Sequence, residues 1–330
     1  MTRGILTHFN SEGELASVLG HEIGHVTARH ERQADSLGVR YAVRDHYDPR
    51  EAIHVHQTLG RLTQERGGNG VPSWLSSHPT SADRIDRIQA ELETLPADAL
   101  DGRIEADGYL RQIDGVTFGP NPRHGYFIGS RFVHPDLAFE LSFPDSWQTA
   151  NLAQAVIGQS ANQDAIFELT LESDGSAAAA DEFFGQPGMQ AGDVRRTTVN
   201  GQSAVTGVFQ VETEQGVLEG TATFVGYHGK TYRLLGYTPA GRRSTYDGAF
   251  QRITRSFTRL TDAAILAVEP PRIDMVRVQR SATLRTMASS RPLPIPVPEL
   301  AILNGVREDE PVAPGATIKW VVGETPPGTR

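Results

Sequence analysis

His21, Glu22 and His25 stand in the chain as H-E-x-x-H. On a helix, positions i and i+4 lie one turn apart on one face, so both imidazoles can reach a single ion. Glu22, one residue on, is close enough to polarise a metal-bound water without being forced into ligation. The matching chemistry is metal-assisted hydrolysis. Zinc lowers the pKa of its water toward about 7, and a carboxylate takes the proton as general base and returns it to the leaving amine. The plainer alternative is a surface helix that happens to carry two histidines and a glutamate. A zinc site of this kind needs a third protein ligand, and the candidate is Glu31, which opens Glu31-Arg32-Gln33-Ala34-Asp35. Asp35, one turn further, is placed to accept a hydrogen bond from a ligating histidine. Taken alone, that stretch is an ordinary charged helix face. In one unbroken helix Glu31 would stand about 9 Å along the axis from His25 and be rotated by about 240°. The site therefore requires a turn within residues 26–30 and a second helix that brings Glu31 back.

The elements that must position these residues are legible nearby. Ser11 followed by Glu14 is a capping-box pattern and sets a helix start. Leu15, Val18, Leu19, Ile23 and Val26 then share one face at helical spacing. That face is expected to pack inward, with the two histidines about 120° from its centre, bordering the core. A second helix is expected over residues 31–44, and Asp48-Pro49 opens a third through Arg66. Gly67-Gly68-Asn69-Gly70 is a break. Thr80 or Ser81 then caps a fourth helix carrying Ile85, Ile88 and Leu92.

Beyond this helical region, residues 98–130 read as a connector with DG, GPNP and HG turn signals. Residues 131–260 change to short β-rich runs (AFELSF, AIFELTL, TTVNGQSAVTGVF, VLEGTATFVGY, KTYRLLGYT) with helical patches near 177–184 and 245–257. Val268-Glu269-Pro270-Pro271 is a linker. Residues 272–323 read as strand, helix, proline-rich insert (292–298), helix and strand, and 324–330 as a tail. The class is α+β and multidomain: a helical core over 1–97, an α+β domain over 131–260 and a small β-α-α-β module over 272–323.

Composition narrows the partners. The 31 basic residues against 40 acidic ones give −9, which argues against nucleic acid, whose phosphates call for a basic face. No cysteine is present, so disulfides and Cys-ligated metal are excluded and any ion is held by His and carboxylate. No apolar run approaches the ~18 residues of a membrane span. The opening MTRGILTHFN lacks the apolar core of a signal peptide.

VLGHEIGHVTARH, ERQADSLGVRYA and SSHPTSADRI together resemble the BepA-like and HtpX-like bacterial zinc metallopeptidases, a gluzincin family. The resemblance covers residues 1–95. It implies a zincin-type core with one Zn2+ held by His21, His25 and Glu31, and Glu22 as catalytic base. It also implies Asp35 behind the ligands, and His78 and Arg84 at the cleft, where the His78 imidazole can cap the ion. Against that family the chain reads as truncated before Thr2-Arg3-Gly4 and shortened between His25 and Glu31. FVHPDLAFELSFPDSW resembles an accessory α+β domain of such peptidases. Residues 272–323 resemble a LysM module, with Leu303-Asn304-Gly305 ending the second helix and Pro314-Gly315 before the last strand, which implies peptidoglycan binding. The implied function is a zinc metalloendopeptidase acting on envelope proteins, located in the periplasm or at the outer membrane. A catalytically impaired adaptor, holding clients or peptidoglycan through residues 131–323, is the rival, and an amidase using the same metal chemistry is a third reading. His8, His30, His46, His54, His56, His124, His134 and His228 read as surface or structural.

Overall fold

The computed structural model describes residues 3–27, 31–65, 82–214 and 216–326. Its chain divides into two units, residues 1–121 with 270–325, and residues 122–269 with 326–330. The segment 272–323 therefore shares a unit with the N-terminal helices. No helix among the described residues is long and apolar enough to cross a membrane.

In the first unit the helices are α1 (Arg3–Leu6), α2 (Glu12–Thr27), α3 (Glu31–Arg44), α4 (Glu51–Glu65), α5 (Ala82–Leu92) and α6 (Ala106–Ile113). α2 starts where the capping pattern puts it. The Glu14 amide donates to Ser11 Oγ at 3.0 Å, and the Glu14 carboxylate accepts from the Asn10 amide at 2.7 Å. Helix α2 is described as far as Thr27 and α3 from Glu31, and residues 28–30 lie outside the described residues. Ile5, Phe9, Val18, Val55, Leu59, Tyr109 and Ile113 make one core cluster around α2, α4 and α6, and Val39, Ile88 and Leu92 join α3 to α5.

The C-terminal part of this unit is an antiparallel strand pair closed by two short helices, in the β-α-α-β order read from the sequence. Numbering strands along the whole chain, these are β12 (Arg272–Arg277) and β13 (Thr317–Val322), with Leu284–Ala288 and Val297–Leu303 between them. Trp320, fully buried, centres their core with Leu284, Leu300 and Leu303. Asn304 pins the last strand, accepting from the Lys319 amide at 2.7 Å and donating to the Lys319 carbonyl at 2.9 Å. The Lys319 side chain is itself buried, and Nζ donates to the carbonyls of Thr7 (3.0 Å) and Phe9 (2.8 Å). This part thus grips the turn that leads into the H-E-x-x-H helix.

In the second unit β1 (Tyr126–Ile128), β2 (Arg131–His134), β3 (Phe139–Ser142) and β11 (Thr258–Arg259) form a four-stranded sheet ordered β1-β2-β3-β11. A seven-stranded sheet is built from β4 (Gln148–Asn151), β5 (Val156–Gln159), β6 (Ile166–Glu172), β7 (Met189–Val199), β8 (Gln202–Thr213), β9 (Gly216–Tyr227) and β10 (Lys230–Pro239), in the order β4-β5-β6-β10-β9-β8-β7. A helix at Ser176–Phe184 and another at Arg243–Ser256 complete it. Phe139, Phe167, Tyr232, Phe250 and Phe257 dominate the core. The run TTVNGQSAVTGVF, read from the sequence as β-rich, spans a hairpin turn. Asn200 and Gly201 both take positive φ (47° and 80°) and turn β7 into β8. His228-Gly229 does the same between β9 and β10. Two-residue turns with left-handed residues match the twist of the paired strands.

Candidate metal centre

The buried face of α2 is not the apolar one. Ser11, Glu14, Ser17, Val18, Gly20, His21 and Gly24 face inward, while Leu19, Ile23 and Val26 are 44%, 53% and 88% exposed. The expectation that Leu19 and Val26 mark the core-facing side is thus corrected, and His21 lies within the interior at 6% exposure instead of bordering it. Glycine explains the inversion. A Cβ on Gly20 would meet the Gly38 Cα at 3.1 Å, and one on Gly24 would meet the Ala34 Cα at 2.8 Å. α2 and α3 therefore run antiparallel at backbone contact, a separation that larger side chains would forbid. The apolar stripe is left on the outside, where Leu15, Leu19 and Ile23 line a cleft of about 710 Å³ with Tyr41, Tyr109 and Ile113.

That close approach sets α3 side chains against the His21 ring. His21 and His25 point their Nε2 atoms at one another, 2.9 Å apart, with the ring planes at 88°. Two Nε2 atoms this close are within reach of one ion at the Zn–N distance of about 2.0–2.1 Å, so the pair fits a metal. On the other side of His21, Nδ1 lies 2.9 Å from Asp35 Oδ1. A proton on Nδ1 shared with the carboxylate puts the ring's lone pair on Nε2, the tautomer that ligation of a cation through Nε2 requires. Arg84 of α5 grips the same carboxylate bidentately, Nη2 to Oδ1 at 2.6 Å and Nε to Oδ2 at 2.8 Å. Burial by itself would raise the Asp35 carboxyl. The hydrogen bonds from His21 and Arg84, with their charges, outweigh it and hold the group down at about 2. Arg84 is 2% exposed, and its Nη2 also stands 3.2 Å from His21 Nε2 and 3.3 Å from Nδ1.

Of the residues singled out in the sequence, His21, His25, Asp35 and Arg84 are thus brought together from three helices, and Glu22 lies half-buried beside them on α2. Glu31 begins α3, but its side chain lies outside the described residues, as does His78 entirely. Sequence reasoning missed His56. It is buried with His21, Asp35 and Arg84 around a cavity of about 20 Å³, room for about one water. Burial, reinforced by the Arg84 charge, pulls its imidazole down to about 3, so it is neutral at ordinary pH. Also unforeseen is a second group, Glu14, Glu51 and His54, where the N-terminal turns of α2 and α4 meet. The only sequence signals were the Ser11–Glu14 cap and the i,i+3 spacing of Glu51 and His54, and neither shows that the two turns touch.

A model of Peptidase family M48 matches residues 1–33 and 30–92, in two pieces that meet at the start of α3. The mitochondrial metalloendopeptidase OMA1 of Arabidopsis thaliana is 26% identical over 155 aligned residues, covering 32% of this chain and 31% of its own length. The chain therefore spans about a third of the curated relative it matches. Among solved structures, cyanobacterial PsbP (CyanoP) from Synechocystis sp. PCC 6803 shares 17% identity, covering 40% of this chain and 94% of that one at a TM-score of 0.33. LpqN, involved in cell envelope biogenesis of Mycobacterium tuberculosis, also shares 17%, covering 37% and 83% at a TM-score of 0.29. The family match falls on the N-terminal residues that carry the H-E-x-x-H pattern.

Proposed function

We propose that the chain is a zinc-dependent metalloendopeptidase whose centre is His21, Glu22 and His25, with Glu31 as third ligand. One observation carries this reading: the two Nε2 atoms converge within 2.9 Å while Asp35 holds the opposite nitrogen of His21. Zinc, when bound, supplies a Lewis acid that polarises the scissile carbonyl and acidifies a water. The rest falls to the protein. Asp35 fixes the His21 tautomer, Arg84 fixes Asp35, and Glu22 takes the water proton on its carboxylate and delivers it to the departing amine. The exposed apolar cleft beside α2 suits an extended polypeptide with apolar side chains. Envelope proteins are the substrates we infer from the BepA-like and HtpX-like resemblance, with a periplasmic or outer-membrane location. Residues 272–323 would add peptidoglycan affinity, and His78 would gate the ion.

The test is metal analysis of the purified chain with a chelator-sensitive peptide or casein assay. Glu22→Gln should keep its zinc and lose roughly 10²-fold or more in turnover. Loss of zinc from that variant, or unchanged turnover, defeats the assignment. One observation favours the rival adaptor: the Arg84 guanidinium lies 3.2 Å from His21 Nε2, the atom that would hold the ion. A zinc-free chain without hydrolytic activity would make that the better reading.

A further inference from the structure

A second group of side chains of metal-ligating type joins α2, two turns before His21, to the start of α4. Glu14 stands seven residues before His21, or about 10 Å along the axis of α2. Its carboxylate meets Glu51 and His54 of α4, with one ligand atom from each residue within 4.8 Å of the others. The triangle they form admits a centre no more than about 2.8 Å from each donor, a small contraction away from Zn–O and Zn–N bonds of about 2.0–2.2 Å. Both carboxylates are buried, at 3% and 4% exposure, and two buried negative charges this close repel unless something positive or a proton lies between them.

The existing partners leave room for a cation. Ser11 Oγ donates to Glu51 Oε2, His54 Nδ1 lies 3.0 Å from Glu51 Oε1, and the Asn10 amide donates to Glu14 Oε2 at 2.7 Å. Each carboxylate oxygen carries a second lone pair. Neither nearby cation hydrogen-bonds to these carboxylates: Lys319, whose charge acts on Glu14 from a distance, donates to the Thr7 and Phe9 carbonyls, and Arg61 donates to the Val306 carbonyl at 2.7 Å. The three side chains open onto a cavity of about 680 Å³, large enough for waters to complete a coordination shell. An independent sign of an occupant comes from His56. It lines the same cavity at 7% exposure, and its buried Nδ1 has no hydrogen-bond partner among the described residues. Native interiors seldom leave such an atom unpaired, and a water of an ion's shell would satisfy it.

The geometry points to a second divalent-cation site, distinct from the H-E-x-x-H pair, formed by Glu14, Glu51 and His54. Two carboxylates and one imidazole suit a borderline first-row ion such as Mn2+ or Zn2+ over Ca2+. The site does not depend on the peptidase reading, since none of its ligands belongs to that centre.

The experiment strips the full chain with chelator, dialyses it against Mn2+ or Zn2+, and counts bound metal per chain. His21→Ala with His25→Ala silences the first site, and one ion per chain should remain. Adding His54→Ala should weaken that ion at least tenfold, and Glu51→Gln should do the same. His54 is 57% exposed, so its truncation disturbs no core. Should the double-histidine variant fail to fold, His54→Ala in the otherwise unchanged chain should bind one ion fewer than the parent. No ion in the folded double-histidine variant, or equal stoichiometry and affinity with and without His54, overturns the site. Failure of the peptidase reading looks different: one ion in the parent chain, still lost with His54.

Discussion

Asp35→Asn is the most informative single change, because one carboxylate serves both a buried arginine and a histidine of the H-E-x-x-H pair. Its carboxyl is held at about 2 instead of 3.8, a preference for the ionised form worth about 2 kcal/mol. Asparagine keeps one acceptor oxygen but turns an NH2 toward donors on Arg84 and His21. Arg84, at 2% exposure, loses its bidentate carboxylate partner, and breaking such a buried pair costs about 3–5 kcal/mol. With part of that recovered by the remaining oxygen, a loss of about 2–4 kcal/mol is expected at pH 7. Urea unfolding measures it directly. The pH dependence identifies the cause. A depressed carboxyl stabilises the fold fully above its unfolded value of 3.8 and loses that contribution as pH falls toward 2. Parent and variant should therefore converge as pH falls through that window. The same variant should bind zinc about 10–100-fold more weakly, since His21 loses the partner that sets its tautomer. A stability difference under about 0.5 kcal/mol at pH 7, or one that does not shrink with acid, would refute the reasoning.

Three further outcomes are expected. Glu14 is pushed up to about 7 by burial, against the Asn10 hydrogen bond and Lys319, so the stability of its protonated form is present below 4.5 and lost as pH rises through 7. In metal-free protein, Glu14→Gln should remove that decline while its amide oxygen still serves Asn10, and a stability profile over pH 4–8 that matches the parent's would defeat this. Gly24→Val puts a branched side chain where Cβ alone lies 2.8 Å from the Ala34 Cα. The helices must part, at a cost of about 1–3 kcal/mol and with weakened zinc binding, whereas an unchanged urea midpoint would show that α2 and α3 are not in contact. Lys319→Met strips the donor from the buried Thr7 and Phe9 carbonyls and should destabilise by about 1–3 kcal/mol, read by thermal unfolding at pH 7.

Local signals in the sequence located elements well and their facing poorly. Ser11 and Glu14 marked the start of α2 because an N-terminal cap is a contact within four residues. The bounds of α3 and the β-α-α-β order of 272–323 were legible for similar reasons, since periodicity and turn residues act over short range. Which side of α2 is buried could not be read, because apolar periodicity assumes that the oily stripe packs inward. Here Gly20, Gly24, Ala34 and Gly38 decide by allowing backbone contact, and the pairing of those positions is a tertiary fact. The meeting of Glu14 with Glu51 and His54 spans about forty residues and leaves no local trace. The β-rich run TTVNGQSAVTGVF folds as two paired strands, and the Asn-Gly between them is a local hairpin signal.

The inverted helix has a chemical logic. A helix that presents two imidazoles to one ion, and to a carboxylate that orients them, must turn those residues toward neighbouring elements that supply the partners. If α2 buried Leu19, Ile23 and Val26 instead, His21 would face away from Asp35 and Arg84, and solvent would compete for its Nδ1 proton. The polar face is stabilised inside by a closed chain of partners, Arg84 to Asp35 to His21 to His25. Of the displaced apolar residues, Leu19 and Ile23 line an open cleft on the same helix as Glu22, and Val26 is exposed. Glycine at 20 and 24 is the hinge of the arrangement. It lets α3 approach closely enough for Asp35 to reach His21, and so it couples the spacing of two helices to the orientation of a candidate metal ligand.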